Sequence, residues 1–424
     1  MSLNKSKISE FIKKLPPCED SFSSSSFGGI LFSLQDYGSL WLTKDEVQDY
    51  RSILKSIIKD ADLDVISGKE IEKLFQRAIL KSIDLENRHP DLDFDSCIKN
   101  SIDELENLLK ATPKIFILYY PIEGLEKSGL PYTFGKIEFK VFDESDFSLF
   151  KNAILDFEGN EKEKKIRKDA LKDFEEKGLI NKIVAKIRVN VVDYEAGINQ
   201  AKKELALTID VLNFFSDLIP YHEGFIYLPG KAHSQVILVP LIEDSKKPSF
   251  HFNYRSVGPL MPVNINKLIE TYAKNNNGLA IASKLLSANR NEFQDRLLSA
   301  LRWAGSATSE IDNEKSFLGY AISLETLILQ EGNDENISYK IRTRIAQLLS
   351  ENYIYCCKIE RHIKDLYKIR SSIVHNGEYQ VADGDLSLIR YYSKNCIVKL
   401  LVNEEFKDIS QEEFLRWFLK RTYR

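Results

Sequence analysis

Cysteine is scarce in this chain and carries no pattern. The five cysteines among 424 residues, at positions 18, 97, 356, 357 and 396, are odd in number and show no C-x-x-C spacing. That argues against a disulfide framework and against a thiolate zinc site, and leaves reduced thiols in a cytoplasmic protein as the expectation. Long apolar runs are missing too: the longest, Ile115 to Ile122 and Val236 to Ile242, fall far short of a membrane span. The first fifteen residues interleave Lys5, Lys7, Glu10, Lys13 and Lys14 with apolar positions, so no signal peptide is expected. Positive charge is not in excess either. A net charge of −4 gives no global footprint for a polyanion, so any nucleic-acid contact must come from a local patch. His222, His233 and His251 share no metal-ligand spacing, and neither Gly28-Gly29 nor Pro229-Gly230-Lys231 is followed by the helix a phosphate loop needs. No cofactor, no metal and no membrane contact are therefore expected.

What is present is enough for two or three domains, since 43% of the residues are hydrophobic in a chain too long for one ordinary core. Residues 1–30 read as a flexible lead-in: an amphipathic piece, Ile8 to Leu15, precedes Pro16-Pro17 and a serine- and glycine-rich run. Residues 31–242 read as a mixed α/β region. Helical spacing holds from Thr43 to Leu109, with Thr43-Lys-Asp-Glu46 as a capping box at its start. The period then changes to two, giving strands at Lys114 to Pro121, Gly135 to Phe142 and Val184 to Val192, with the charged stretch 158–178 as a solvated helix between the last two. A long helix from Tyr194 to Leu218 follows, and Gly224 to Leu228 and Gln235 to Ile242 are two further strand candidates. Residues 243–278 read as an irregular connection, and 279–424 as a bundle of helices. The expected fold class is α+β, a mixed α/β region followed by an all-α bundle.

Within that bundle, Asp365-Leu-Tyr-Lys-Ile-Arg370-Ser-Ser-Ile-Val-His375-Asn-Gly377 stands out. On a helix, Leu366, Tyr367, Ile373 and Val374 surround Arg370, so a guanidinium sits in an apolar stripe. Glu325 is likewise ringed by Ala321, Ile322, Ile328 and Leu329. Two opposite charges, each on a face its helix should bury, imply that the helices meet there. Asn376-Gly377 is a helix-stopping pair, which puts His375 in a last turn. Five helical residues turn a side chain by about 140°, so Arg370 and His375 converge only if the helix loosens.

These residues resemble the HEPN superfamily, and more narrowly its Apea-like domains, marked by an Arg-x4–6-His motif near the end of a bundle helix; here it is Arg370-Ser-Ser-Ile-Val-His375. The resemblance covers the last third of the chain. It implies a metal-independent endoribonuclease with RNA as substrate, a homodimer whose two motifs face each other, and a toxin-like or anti-phage defence role triggered through the N-terminal region. In chemical terms, an imidazole of near-neutral pKa can move the proton of a ribose 2′-OH or of a leaving 5′-oxygen, and a fixed guanidinium can hold the phosphate. His375 would then be the acid or base, Arg370 the phosphate anchor, Glu325 its counter-ion, and Ser371, one turn before His375, an auxiliary. The competing reading is structural: a non-catalytic dimerisation or binding module in which Arg370 and Glu325 fix helix packing and His375 meets only the helix dipole. Lys340, Arg342, Arg344, Lys358, Arg361, Lys364, Lys368, Lys420, Arg421 and Arg424 are candidates for an RNA-facing rim.

Overall fold

The computed structural model describes residues 3–15, 30–34, 38–88, 93–155, 179–217, 225–228, 262–275, 277–329, 337–377 and 380–422, with 165, 168, 169 and 172. The chain forms two compact units, Met1–Leu118 with Arg188–Lys203, and Tyr119–Ile187 with Glu204–Arg424.

In the first unit, helices α1 (Lys5–Lys13), α2 (Lys44–Asp60), α3 (Gly68–Arg88) and α4 (Phe94–Leu109) accompany a hairpin of β1 (Ile30–Leu34) and β2 (Gly38–Leu42). The expected capping box is there: Glu46 N–H donates to Thr43 Oγ1 at 3.5 Å and Thr43 N–H to Glu46 Oε2 at 2.7 Å. Residues 1–30 are not a flexible lead-in throughout. Ile8, Phe11 and Ile12, spaced for one helix face, are buried with Tyr50, Phe75, Ile79 and Ile102 in a single core.

A four-stranded sheet has the order β3 (Lys114–Pro121), β6 (Ile183–Val191), β5 (Ile137–Val141), β4 (Tyr132–Phe134). Strands β5 and β6 are antiparallel, with Ile137 opposite Ile187 and Val141 opposite Ile183. Helix α5 (Glu144–Leu155) follows β5, and α6 (Tyr194–Asp217) follows β6. Of the two late strand candidates, Tyr227 makes a single bridge to Glu123 and residues 235–242 lie outside the described residues, as does most of the stretch 158–178.

The C-terminal helices are α7 (Ile265–Asn275), α8 (Gly278–Ser287), α9 (Glu292–Thr308), α10 (Asn313–Ile328), α11 (Ile337–Leu349), α12 (Tyr353–Asn376), α13 (Asp383–Val402) and α14 (Gln411–Thr422). The interval read as an irregular connection thus contains α7, whose Ile265, Leu268 and Tyr272 are buried. The two units also cut the chain differently from a division at 243–278. Gly305 is the physical reason: a Cβ there would overlap the Asp210 carbonyl, so the backbones of α9 and α6 lie in direct contact. Tyr272 Oη adds a hydrogen bond to Phe215 O at 2.8 Å. The second half of α6 is therefore a member of the helical layer rather than of a separate α/β region. No helix among the described residues is long and apolar enough to cross a membrane.

Candidate functional site

Helix α12 carries the site. Its start is fixed by Asn352, whose side chain accepts from Ile354 N at 3.0 Å and Tyr355 N at 3.3 Å. Its end is fixed by Gly377 at φ 79°, a left-handed cap whose N–H reaches Ile373 O at 3.1 Å. Between them Ile363, Leu366, Tyr367, Ile369 and Ile373 form the buried face.

The structure brings Arg370 and Glu325 together. Arg370 Nε donates to Glu325 Oε1 at 3.1 Å and Nη2 to Oε2 at 3.4 Å, with side chains 31% and 21% exposed. Tyr367, one turn before Arg370, is buried and donates to Ala321 O at 3.4 Å. Burial first, then the Glu325 charge, pushes its hydroxyl well above the ordinary tyrosine value. The guanidinium is thus oriented by a carboxylate that is itself boxed in by a buried phenol.

Arg370 and His375 are not brought together. The helix does not loosen; it stays regular through Asn376, so the two side chains point about 140° apart. His375 is in the last turn as expected and exposed, and its side chain makes no hydrogen bond to another described residue. Ser371 is exposed and lies within about 40° of His375 around the axis.

That exposed face is longer than the motif. Tyr353, Cys357, Arg361, Lys364, Lys368, Ser371 and His375 all fall within about 40° of one line along α12, and all are exposed. Tyr353 is 81% exposed, the most of the large hydrophobic side chains among the described residues. A hydrogen bond with Cys357 raises its hydroxyl above the ordinary value, in keeping with their shared face. Asp365 flanks the line and is held below the ordinary carboxyl value by its hydrogen bond from Lys368, then by the charges of Lys368, Lys364 and Arg361. Its contact with Lys368 is 2.8 Å. His362 lies against α13, with Nδ1 2.7 Å from Tyr392 Oη.

Other members of the anticipated basic rim are engaged within the fold. Arg344 Nη1 donates to Ile328 O at 2.6 Å; Arg296, which is not of that rim, donates through Nη2 to Leu329 O, so two guanidinia cap the carbonyl end of α10. Arg421 stacks 4.1 Å from the Trp417 ring centroid and donates to Gln347 O and Glu351. Arg424 lies outside the described residues.

One cluster escaped the sequence reading. Asp217, at the end of α6, accepts from Arg390 Nη2 and pairs with Lys394 Nζ, whose side chain is 5% exposed. Thr308 Oγ1 reaches Asp217 Oδ2 at 3.4 Å and Tyr320 Oη at 3.1 Å. Lys394 had the same signature as Arg370, a cation on the face that carries Ile397 and Leu401.

A hollow of about 860 Å3 is lined by Glu310, Asp312, Glu314, Asp383 and Lys315 and contains none of the candidate residues. Its predominantly acidic wall would repel a phosphate. Among the described residues no group of three or more His, Cys, Asp or Glu side chains is placed to hold a metal ion. The chain matches no family model, no curated protein and no solved structure.

Proposed function

We propose that the C-terminal helices act as a metal-independent endoribonuclease of the HEPN type. The observation that supports this best is the position of His375, exposed at the capped end of a helix whose same face carries Arg361, Lys364 and Lys368. A phosphate chain drawn to those cations is delivered to an imidazole. His375 takes the 2′-OH proton as the oxygen attacks phosphorus, or returns one to the departing 5′-oxygen, and a 2′,3′-cyclic phosphate results. Arg370 faces elsewhere on its own helix, so in this reading a second copy of the chain completes the site, with the two motifs opposed. Glu325 holds Arg370, and Ser371 stands beside His375 as a polar auxiliary. By the same resemblance, the N-terminal part senses a trigger and RNA cleavage halts growth in a defence response.

The second reading, a binding or dimerisation module without chemistry, is favoured by one observation: both guanidinium contacts of Arg370 go to Glu325. The experiment that separates them compares purified chain with its His375→Ala variant on labelled RNA in the presence of a metal chelator. Cleavage by the parent that is lost in the variant is expected. Equal activity of both removes His375 from the chemistry.

A further inference from the structure

We infer that the exposed face of α12 is a track for a single strand of RNA, with Tyr353 as a base-stacking platform at one end and His375 at the other. The inference rests on the reading of His375 as the reacting group and adds what brings the strand to it. Three features of the face carry it.

The first is charge. Arg361, Lys364 and Lys368 occupy successive turns of one line, on a chain whose net charge is −4. Of the acidic neighbours, Asp365 is paired with Lys368 and offsets part of its charge, and Glu360 stands half-buried beside the line, so Arg361 and Lys364 carry most of the attraction. The second is Tyr353. Its ring projects from the first turn at 81% exposure, where it contributes nothing to the core, and Ile354 beside it is 75% exposed. An aromatic ring held in water next to a row of cations is the pairing that single-stranded nucleic acid uses, bases on the ring and phosphates on the cations. A duplex keeps its bases stacked internally and has no free face to offer Tyr353. The third is geometry. From Tyr353 to His375 the helix rises about 33 Å without interruption, so platform, cations and imidazole keep a fixed spacing.

The test uses the full chain carrying His375→Ala, so that binding is measured without turnover. Fluorescence anisotropy follows a labelled single-stranded RNA of about 12 nucleotides, within the length one such site covers, and a duplex of equal length. Tyr353→Ala is expected to weaken single-strand binding by about 5- to 100-fold, while Tyr353→Phe, which keeps the stacking face, stays close to the parent. Lys364→Gln and Lys368→Gln should each flatten the salt dependence, by about 0.7 in log–log slope. All these side chains are exposed, so the variants should melt with the parent. Equal affinity for the duplex, or single-strand binding indifferent to Tyr353 and the lysines, overturns the track and leaves this face to a protein partner. The two proposals fail separately. Binding that needs the face, by a chain that never cleaves RNA, sinks the nuclease and keeps the track; cleavage by the parent, undiminished in Tyr353→Ala and Lys364→Gln, does the reverse.

Discussion

Replacing Glu325 with alanine removes both oxygens that hold Arg370 and strands a guanidinium on a face that α12 packs inward. Pairs in full solvent contribute about 0.2–1 kcal/mol, whereas breaking a fully buried pair costs about 3–5 kcal/mol. With exposures of 31% and 21%, this pair belongs between those limits. We expect Glu325→Ala to cost about 2 kcal/mol after allowing for water at the rim. Thermal unfolding of a cooperative unit of 150–250 residues shifts about 2–4 °C per kcal/mol, so the transition should fall by about 4–8 °C. The decisive measurement is the double-mutant cycle with Arg370→Ala. If the two residues form a structural unit, the double variant is hardly worse than either single one, and the coupling exceeds about 1 kcal/mol. A coupling below about 0.5 kcal/mol would refute the argument and leave Arg370 free to meet a phosphate in its own chain.

Other expectations follow from single features. His375→Ala should leave the unfolding temperature within about 2 °C of the parent, since exposed positions away from packing change stability by about 0.5 kcal/mol or less. Gly305→Ala should be severe, beyond the about 1–3 kcal/mol of ordinary overpacking, because the added carbon meets the Asp210 backbone rather than a movable side chain; normal expression and melting would contradict the close approach of α6 and α9. Asp217→Ala should cost about 3–5 kcal/mol by leaving Lys394 buried without its counter-ion, and Asp217→Ala with Lys394→Met should recover much of it. Hydrogen bonds from Lys110 and Lys5 hold Glu106 at about 2, below its ordinary 4.5. A depressed carboxylate stabilises the fold above its unfolded value and loses that contribution as pH falls, so the attachment of α1 to α4 should weaken between 4.5 and about 2. Amide exchange in residues 5–13, corrected for intrinsic rate, reads this out; protection unchanged across that window would discount the Lys5 link.

The seven helical segments from 279 onward, three of the four strands of the sheet and the capping box at Thr43 were legible because each is a local pattern, a period of 3.6 or 2 or a cap with its partner three residues on. The contact between Arg370 and Glu325 was legible for a different reason: a charge on an apolar stripe must be answered by another, and the two answered each other. The same logic applies to Lys394, but its partner Asp217 lies 177 residues away in sequence, at the end of a helix assigned to another region. The amphipathic piece from Ile8 to Leu15 was legible but its packing as α1 was not, because nine residues are too few to be stable alone; its burial with Tyr50 and Ile102 is a tertiary fact. The regularity of α12 through Ser371-Ser372-Ile373-Val374 overrode their modest helix propensity, because Ile373 is buried and Gly377 closes the final turn.

Tyr353, Lys364 and His375 are 11 residues apart, and 11 residues complete three turns with a residue drift of only about 20°. The track proposed along α12 is accordingly a matter of phase. Removing one residue anywhere between Tyr353 and His375 would leave composition, charge and helicity almost intact, yet swing the ring and the imidazole about 100° out of alignment. Removing a whole hendecad would restore the alignment on a shorter helix. In this chain the count of residues between two side chains carries as much information as their identity.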